Sequence, residues 1–156
     1  MISAQDLKEV GLVMATASTS ATASARIDTL GFRYCSVEGW LPKATATNSS
    51  AKWGVFKLTE ADLTTVSSAT AIVAFTGTTN TVTDATNGYV IAAHNNTSDP
   101  QATKLMVDLR GRKRYLFVTY QSDASHSTVC VKAQLSRPEE MPNTDAERGV
   151  GVSAIG

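Results

Sequence analysis

The sequence predicts an all-β protein, an antiparallel β-sandwich with jelly-roll-like connectivity. Short runs in which apolar and polar residues alternate recur along the chain, and polar turn-forming segments separate them at frequent spacing. Thr, Ser and Ala are abundant, while charged residues make up only 18% of the 156 residues, a composition that does not suit a helix bundle. Strand-like and helix-like segments do not alternate, which argues against a parallel sheet.

The length and the charge of the chain limit its architecture and its partners. A chain of 156 residues suits one domain with its own core. Fourteen basic and fourteen acidic residues give a formal net charge of zero, so the composition favours neither a nucleic-acid partner nor an anionic membrane. The first residues lack the pattern of a secretory signal, and no apolar run reaches membrane-spanning length.

The pattern divides the chain into three segments. Residues 1–12 predict a loose N-terminal arm, because a helical turn of that length is unstable by itself. Residues 13–137 predict the sandwich. Residues 138–156 predict an extended C-terminal arm, because the sequence becomes polar there and because Pro138 and Pro142 cannot join a central strand.

About eight or nine strands are predicted from nine strand-like runs, and the alternation assigns faces to some of these runs. They cover residues 12–17, 21–27, 32–41, 51–59, 70–76, 89–93, 103–109, 114–121 and 128–135. In the strand 32–41 either face could point to the core. In the strand 51–59 the alternation places Trp53, Val55 and Lys57 opposite Gly54, Phe56 and Leu58. Inward-facing residues are clearer in the last strands: Leu105, Val107 and Leu109, and then Val129, Val131, Ala133 and Leu135.

A cluster of basic residues in VDLRGRKRYLFVTY, residues 107–120, raises the main functional question. Gly111 permits a tight turn, and strand-like runs flank it, so the pattern predicts a β-hairpin with the basic side chains in solvent. The alternative is a basic surface, formed by Arg110, Arg112, Lys113 and Arg114, that binds an acidic partner protein. Nucleic acid fits less well, because the sequence contains no RNA-binding motif.

The residues that could support catalysis do not form a recognisable set, so we expect no enzyme. His94 and His126 fall in predicted loops, and the Asp123, Ser125 and Ser127 near His126 are neighbours in a Ser-rich loop rather than a triad. The sequence predicts no metal site and no cofactor. Glu60 and Asp62 are expected at a turn, pointing to solvent.

The cysteines and tryptophans have structural interpretations that compete with functional ones. Cys35 and Cys130 lie in different predicted strands without a metal or redox spacing, so two free, buried or half-buried thiols are expected, with a disulfide as the alternative. Trp40 and Trp53 are expected to contribute one core tryptophan to each sheet. The alternative is that they line a sugar-binding face.

Four runs of the sequence carry a family resemblance: IDTLGFRYCSVEGWL, WGVFKLTEADLTT, VDLRGRKRYLFVTY and VKAQLSRPEEMP. They resemble small proteins encoded among the structural genes of tailed bacteriophages, and the resemblance spans roughly residues 26–142. It implies a virion component made in the host cytoplasm, most plausibly a head decoration (cement) protein that binds the major capsid protein on the capsid surface. Such proteins are β-sandwiches or jelly rolls, often homotrimeric, with terminal arms that reach neighbours.

The resemblance makes the start of the C-terminal arm, Glu139, Glu140 and Met141, a second candidate partner-binding segment beside the basic cluster. It implies no nucleic-acid or membrane partner. Two other functions stay open. One is a capsid or tail subunit that builds the shell or tube itself, although a strongly basic arm for enclosing nucleic acid is missing. The other is a carbohydrate-binding β-sandwich module.

Overall fold

The structure, a computed structural model, describes residues 7–15, 22–41, 53–72, 83–84, 88–89, 101–122, 129–139 and 149. These residues form β1 (Leu7–Ala15), β2 (Ala23–Asp28), β3 (Phe32–Leu41), β4 (Trp53–Ala61), β5 (Thr70–Ala71), β6 (Thr83–Asp84), β7 (Gly88–Tyr89), β8 (Gln101–Asp108), β9 (Tyr115–Ser122) and β10 (Val129–Pro138). A short 3-10 turn covers Val66–Ser68. Among these residues, no helix has the length and apolar character needed to cross a membrane.

The strands form two sheets, which confirms the predicted all-β sandwich. One sheet has four strands in the order β1-β10-β3-β8, all antiparallel. The second has the order β2-β9-β4-β7-β6, and β5 also pairs with β4. If the two-residue strands β6 and β7 are set aside and β8, β9 and β10 are counted as the sixth, seventh and eighth strands, the order is first-eighth-third-sixth in one sheet and second-seventh-fourth-fifth in the other. This is jelly-roll connectivity.

The predicted hairpin around the basic cluster is wrong. The chain changes sheet between β8 and β9, because β8 pairs with β3 whereas β9 pairs with β2 and β4. It changes sheet again between β9 and β10, because β10 pairs with β1 and β3. A hairpin turn and a corner between two sheets need the same local residues, so the sequence pattern could not separate them.

The core lies between the inner faces of the two sheets. β3 turns Cys35, Val37, Gly39 and Leu41 inward, which settles the face that the sequence left open. The inward residues expected in the last strands are buried: Leu105, Val107, Leu109, Val129, Val131, Ala133 and Leu135.

The predicted faces of β4 are wrong at its start. The register with β9 shifts between Trp53 and Val55, so one extra residue bulges there. This bulge brings Trp53 to the side of Phe56, with ring centroids 4.9 Å apart. Both rings are fully buried, and Trp53 also makes an edge contact with Tyr120.

Residues 7–12 and residue 138, which the sequence assigned to the terminal arms, lie in strands. β1 begins at Leu7 and pairs with β10 along its length, so residues 7–12 belong to an edge strand and not to a loose arm. β10 extends to Pro138, which lies opposite Phe32. The pairing of β1 with β10 ends at Ser136, so at Pro138 only one side of β10 has a described partner strand. A proline, which has no N–H to donate, is tolerated at such an edge position.

Candidate functional site: the basic corner and the arginine pocket

The basic cluster forms the corner at which the chain crosses from β8 to β9, and residues 108–114 are called the basic corner below. Leu109 N donates to Arg33 O at 2.8 Å, which continues the pairing with β3. Arg112 N donates to Leu109 O at 3.0 Å and closes a tight turn, in which Gly111 has φ of +73°. Thr29 N then donates to Arg114 O at 3.0 Å, so the chain has joined β2 in the second sheet.

Arg110 is held by the carboxylate at the start of the corner. Its Nε lies 3.0 Å from both carboxylate oxygens of Asp108, and its Nη2 lies 2.5 Å from Oδ2. Asp108 also accepts from the backbone N–H of Arg110 at 3.1 Å and from the Tyr34 hydroxyl at 3.4 Å. The hydrogen bonds from Arg110, and its charge, hold the pKa of Asp108 well below its usual range.

Arg114 makes a two-pronged contact with β2. Its Nε and Nη2 donate to the two oxygens of Asp28 at 3.0 and 2.8 Å, and this contact lowers the pKa of that carboxyl. The guanidinium also lies 4.9 Å from the centre of the Tyr115 ring, which Arg26 approaches at 5.5 Å. Arg114 therefore fastens the corner to the second sheet.

Glu60 engages the two remaining basic residues, contrary to the expectation that it points to solvent from a turn. It lies in β4, and its side chain is only 12% exposed. Its Oε1 accepts from Arg112 Nη1 at 3.4 Å and its Oε2 from Lys113 N at 3.3 Å, while Lys113 Nζ donates to Thr70 at 3.2 Å. Asp62 is exposed in the bend after β4, as expected.

The basic corner is therefore largely neutralised from within. Three of its four cationic side chains each contact a carboxylate, those of Asp108, Glu60 and Asp28, and the fourth, Lys113, contacts the Thr70 hydroxyl. Opposite charges this close cancel most of the field that would attract a distant polyanion.

In the other candidate partner-binding segment, residues 139–141, Glu139 is exposed and its N–H donates to Gly31 O at 2.8 Å. Glu140 and Met141 lie outside the described residues.

Beside the corner lies a pocket that the sequence analysis missed. It has a volume of about 190 Å³ and is called the arginine pocket below; it is lined by Arg33, Tyr34, Arg110, Arg137 and Pro138. Arg137 stacks on Tyr34, with its guanidinium carbon 4.8 Å from the ring centre. The pairing of β3 with β10 brings these residues together. No local sequence motif predicts a pairing between two segments so far apart in the chain.

The outer face of the four-stranded sheet is the second notable surface. Trp40 is 46% exposed and Met106 is 72% exposed there. Glu38 lies between two lysines, 2.8 Å from Lys104 and 3.3 Å from Lys132, and these contacts lower the pKa of Glu38. Of the two tryptophans, only Trp53 is a core residue, so the expectation of one core tryptophan in each sheet is wrong for Trp40.

The cysteines are free, as expected. Cys35 is buried on the inner face of β3, whereas Cys130 is half-buried and pairs in register with Trp40. Burial raises the pKa of the Cys35 thiol to about 12. In the part of the chain that the structure describes, no group of three His, Cys, Asp or Glu residues could hold a metal ion. His94 and His126 fall outside that part.

Comparisons with protein-family models, with curated proteins and with solved structures find no match to this chain. The site must therefore be interpreted from its own geometry and from the resemblance carried by the sequence runs.

Proposed function

We propose that the chain is a non-catalytic structural protein of a phage virion that binds the outside of the capsid lattice and stabilises it. The outer face of the four-stranded sheet carries this proposal. It combines exposed Trp40 and Met106 with a charged group, Glu38, that is already paired within the face. Aromatic residues and Met are enriched where proteins contact proteins, whereas unpaired charges are depleted.

The sequence runs of the resemblance support the phage assignment. They contain β3, β4, most of β9 and most of β10, together with the last two residues of β2 and of β8. The resemblance thus covers the frame of both sheets and not one isolated turn. The proposed partner is the major capsid protein, and the proposed place is the capsid surface.

The charges favour a protein partner over nucleic acid. The chain has no net charge, and the basic corner contacts its own carboxylates. Binding to nucleic acid draws most of its affinity from cations that are free to meet phosphates. In this proposal the basic corner connects the two sheets, and the partner contacts the outer face of the four-stranded sheet.

A homotrimer is part of the proposal. Among the described strands β8 pairs only with β3, and we propose that its other edge contacts a neighbouring copy. The C-terminal segment adds further contacts, each of which can be weak because the lattice repeats them.

Cosedimentation with capsids that lack this protein tests the proposal. The double substitution Trp40→Ala and Met106→Ala should weaken binding by about tenfold or more, because exposed aromatic anchors dominate interface energies. Leu63→Ala is the matched control, since Leu63 is also strongly exposed (62%) but lies after β4 of the second sheet. Equal binding of both variants would contradict the placement of the contact, and no binding of the native chain would contradict the function.

A truncation separates the sandwich from the C-terminal segment. The chain should be truncated after Glu139, because β10 includes Pro138 and the backbone N–H of Glu139 donates to Gly31 O. Deleting residues 140–156 should leave the far-ultraviolet circular dichroism spectrum unchanged and weaken capsid binding. Loss of the β spectrum would show that the segment belongs to the fold.

One observation favours carbohydrate binding as a second candidate. Trp40 borders a shallow depression of about 230 Å³ with Glu38 and Lys104, and an exposed aromatic ring beside polar groups suits stacking on a sugar. A glycan array screened with the native chain and with Trp40→Ala distinguishes the candidates, since only a glycan site gives a signal that the substitution removes.

A further inference from the structure

Arg137 has an unusual backbone conformation. Its φ is +54°, the only positive φ of a non-glycine residue among those the structure describes. A side chain in this region costs on the order of 1 kcal/mol. The register on either side is regular, with Ser136 opposite Tyr34 and Pro138 opposite Phe32. The surrounding sheet therefore imposes the conformation, and the result is the stacking of Arg137 on the Tyr34 ring.

The same register brings two positive charges together. Arg33 and Arg137 both line the arginine pocket, because the register places Tyr34 opposite Ser136 and Phe32 opposite Pro138. Like charges that border one small pocket repel each other. Neither arginine forms an ion pair with a carboxylate of the described residues. Backbone strain and charge repulsion therefore coincide at one point, which is the pattern expected of a binding site.

The charge balance of the arginine pocket identifies the ligand class. Three guanidinium groups, those of Arg33, Arg110 and Arg137, border the pocket, and Asp108 neutralises that of Arg110. Excess positive charge remains on Arg33 and Arg137. A volume of about 190 Å³ suits a group as small as a carboxylate, which guanidinium groups bind through paired N–H donors.

A wider groove continues from the pocket and indicates what carries that carboxylate. Tyr34 and Arg137 line both depressions, and the groove of about 480 Å³ also has Leu7 and Met106 on its walls. A free small anion would leave these apolar walls in water. A peptide with an acidic residue next to an apolar one fills both depressions.

We propose that the arginine pocket binds the carboxylate of an acidic residue in a partner protein, while the adjacent apolar residue of that partner packs in the groove beside Met106. This deepens the proposed function, on which it rests, by naming the chemistry of the partner segment. It also gives Arg33 and Arg137 a role that the fold alone does not require.

Nuclear magnetic resonance titration of the full chain tests the pocket without capsids. The probe is an end-blocked tetrapeptide with one glutamate followed by one leucine, and the matched probe has glutamine in place of glutamate. The glutamate peptide should shift the resonances of Tyr34 and Arg137 with millimolar affinity, and the shifts should weaken as salt increases. The glutamine peptide should shift them little.

Variants and a competitor complete the test. The double substitution Arg33→Gln and Arg137→Gln should weaken glutamate-peptide binding by about tenfold or more. Arg26→Gln, an arginine of the second sheet, should leave it unchanged. Equal binding of both peptides, or no effect of the double substitution, would overturn the proposal. Shifts with inorganic phosphate but not with the glutamate peptide would overturn it in favour of a phosphate site.

The capsid experiment separates this inference from the proposed function. If the native chain and the double arginine variant bind capsids equally well, the pocket proposal fails while the structural function stands. If the glutamate peptide binds the pocket but the chain does not bind capsids, the structural function fails while the pocket proposal stands.

Discussion

Gly39 of β3 lies directly under the ring of Phe56 in the opposite sheet. A Cβ atom at position 39 would fall 2.6 Å from Phe56 Cε2 and 2.9 Å from Trp53 Cζ2. Both rings are fully buried and cannot retreat into solvent. The packing of the two sheets at this point therefore depends on the absence of a side chain at position 39.

Gly39→Ala should lower the free energy of unfolding by about 1–3 kcal/mol, because the added methyl group overpacks a filled core. Urea denaturation followed by tryptophan fluorescence measures the change. Gly11→Ala is the matched control, since a Cβ there would meet nothing within 4 Å, and its effect should stay within about 0.5 kcal/mol. Equal effects of the two substitutions would contradict the described packing of the sheets.

The two thiols should differ in reactivity. Cys35 is buried and its pKa is raised to about 12, so it should resist alkylation by iodoacetamide in the native protein at pH 8, whereas the half-buried Cys130 should react first. Mass spectrometry of the singly modified chain identifies the site, and Cys130→Ser should remove the fast phase. Fast modification of Cys35 in the folded protein would contradict its place in the core.

The raised pKa of Cys35 also predicts a loss of stability in alkali. Above its ordinary value of 9.0 the unfolded chain releases this proton while the folded chain keeps it up to about pH 12. The unfolded state is then favoured increasingly as the pH rises through that window. Cys35→Ala should make the free energy of unfolding depend less on pH in this window. An unchanged dependence would mean that the Cys35 thiol ionises as readily in the folded state as in the unfolded state.

Glu38 should contribute to stability in neutral solution and not in acid. Lys104, and then Lys132, hold its pKa below the ordinary value of 4.5, so the contribution is fully present above about pH 5 and is lost as the pH falls through the folded-state pKa. Glu38→Gln should cost about 1 kcal/mol at pH 7.

The cost of Glu38→Gln should shrink toward zero in acid, once the pH is below the folded-state pKa of Glu38 and both proteins carry a neutral group. Urea denaturation over a pH series measures it. Asp62→Asn, which removes an exposed carboxylate from the bend after β4, should change stability little at any pH. A cost of Glu38→Gln that is the same in acid and at neutral pH would mean that packing, and not charge, accounts for it.

Arg33→Gln should stabilise the folded protein by a few tenths of a kcal/mol at low salt, because it removes one of the two unpaired positive charges that border the arginine pocket. The gain should disappear at high salt, where the repulsion is screened. Thermal denaturation at two salt concentrations measures both effects. A destabilised variant would show that Arg33 has a structural partner, and its place in a binding pocket would then lose its main support.

The regular strands could be predicted from the sequence, because alternation reports which residues are buried. β3 has the predicted bounds, Phe32–Leu41, and β8 and β10 bury the residues expected of them. Long-range pairing leaves no such local signal. β1 contains Lys8, Glu9 and Gly11 and reads as a loose arm, yet it is a strand because β10, from the other end of the chain, pairs with it.

The candidate site was predicted only in part for the same reason. The basic cluster is evident in the sequence, but its carboxylate partners Asp28 and Glu60 come from β2 and β4. The arginine pocket needs Arg33 and Arg137, which only the register of β3 and β10 brings together. The faces of β4 were wrong because a bulge after Trp53 changes the alternation without a distinctive residue to mark it.

The central claim, that the chain is a component of a capsid lattice, is tested most directly by quantitative mass spectrometry. Purified phage particles that carry the gene for this chain are analysed for its copy number relative to the major capsid protein. For a lattice component we expect a ratio of one or a fixed simple fraction of one, as lattice symmetry requires. Complete absence from the particles would contradict the account, and a few copies per particle would contradict decoration of the lattice and indicate a tail or portal position.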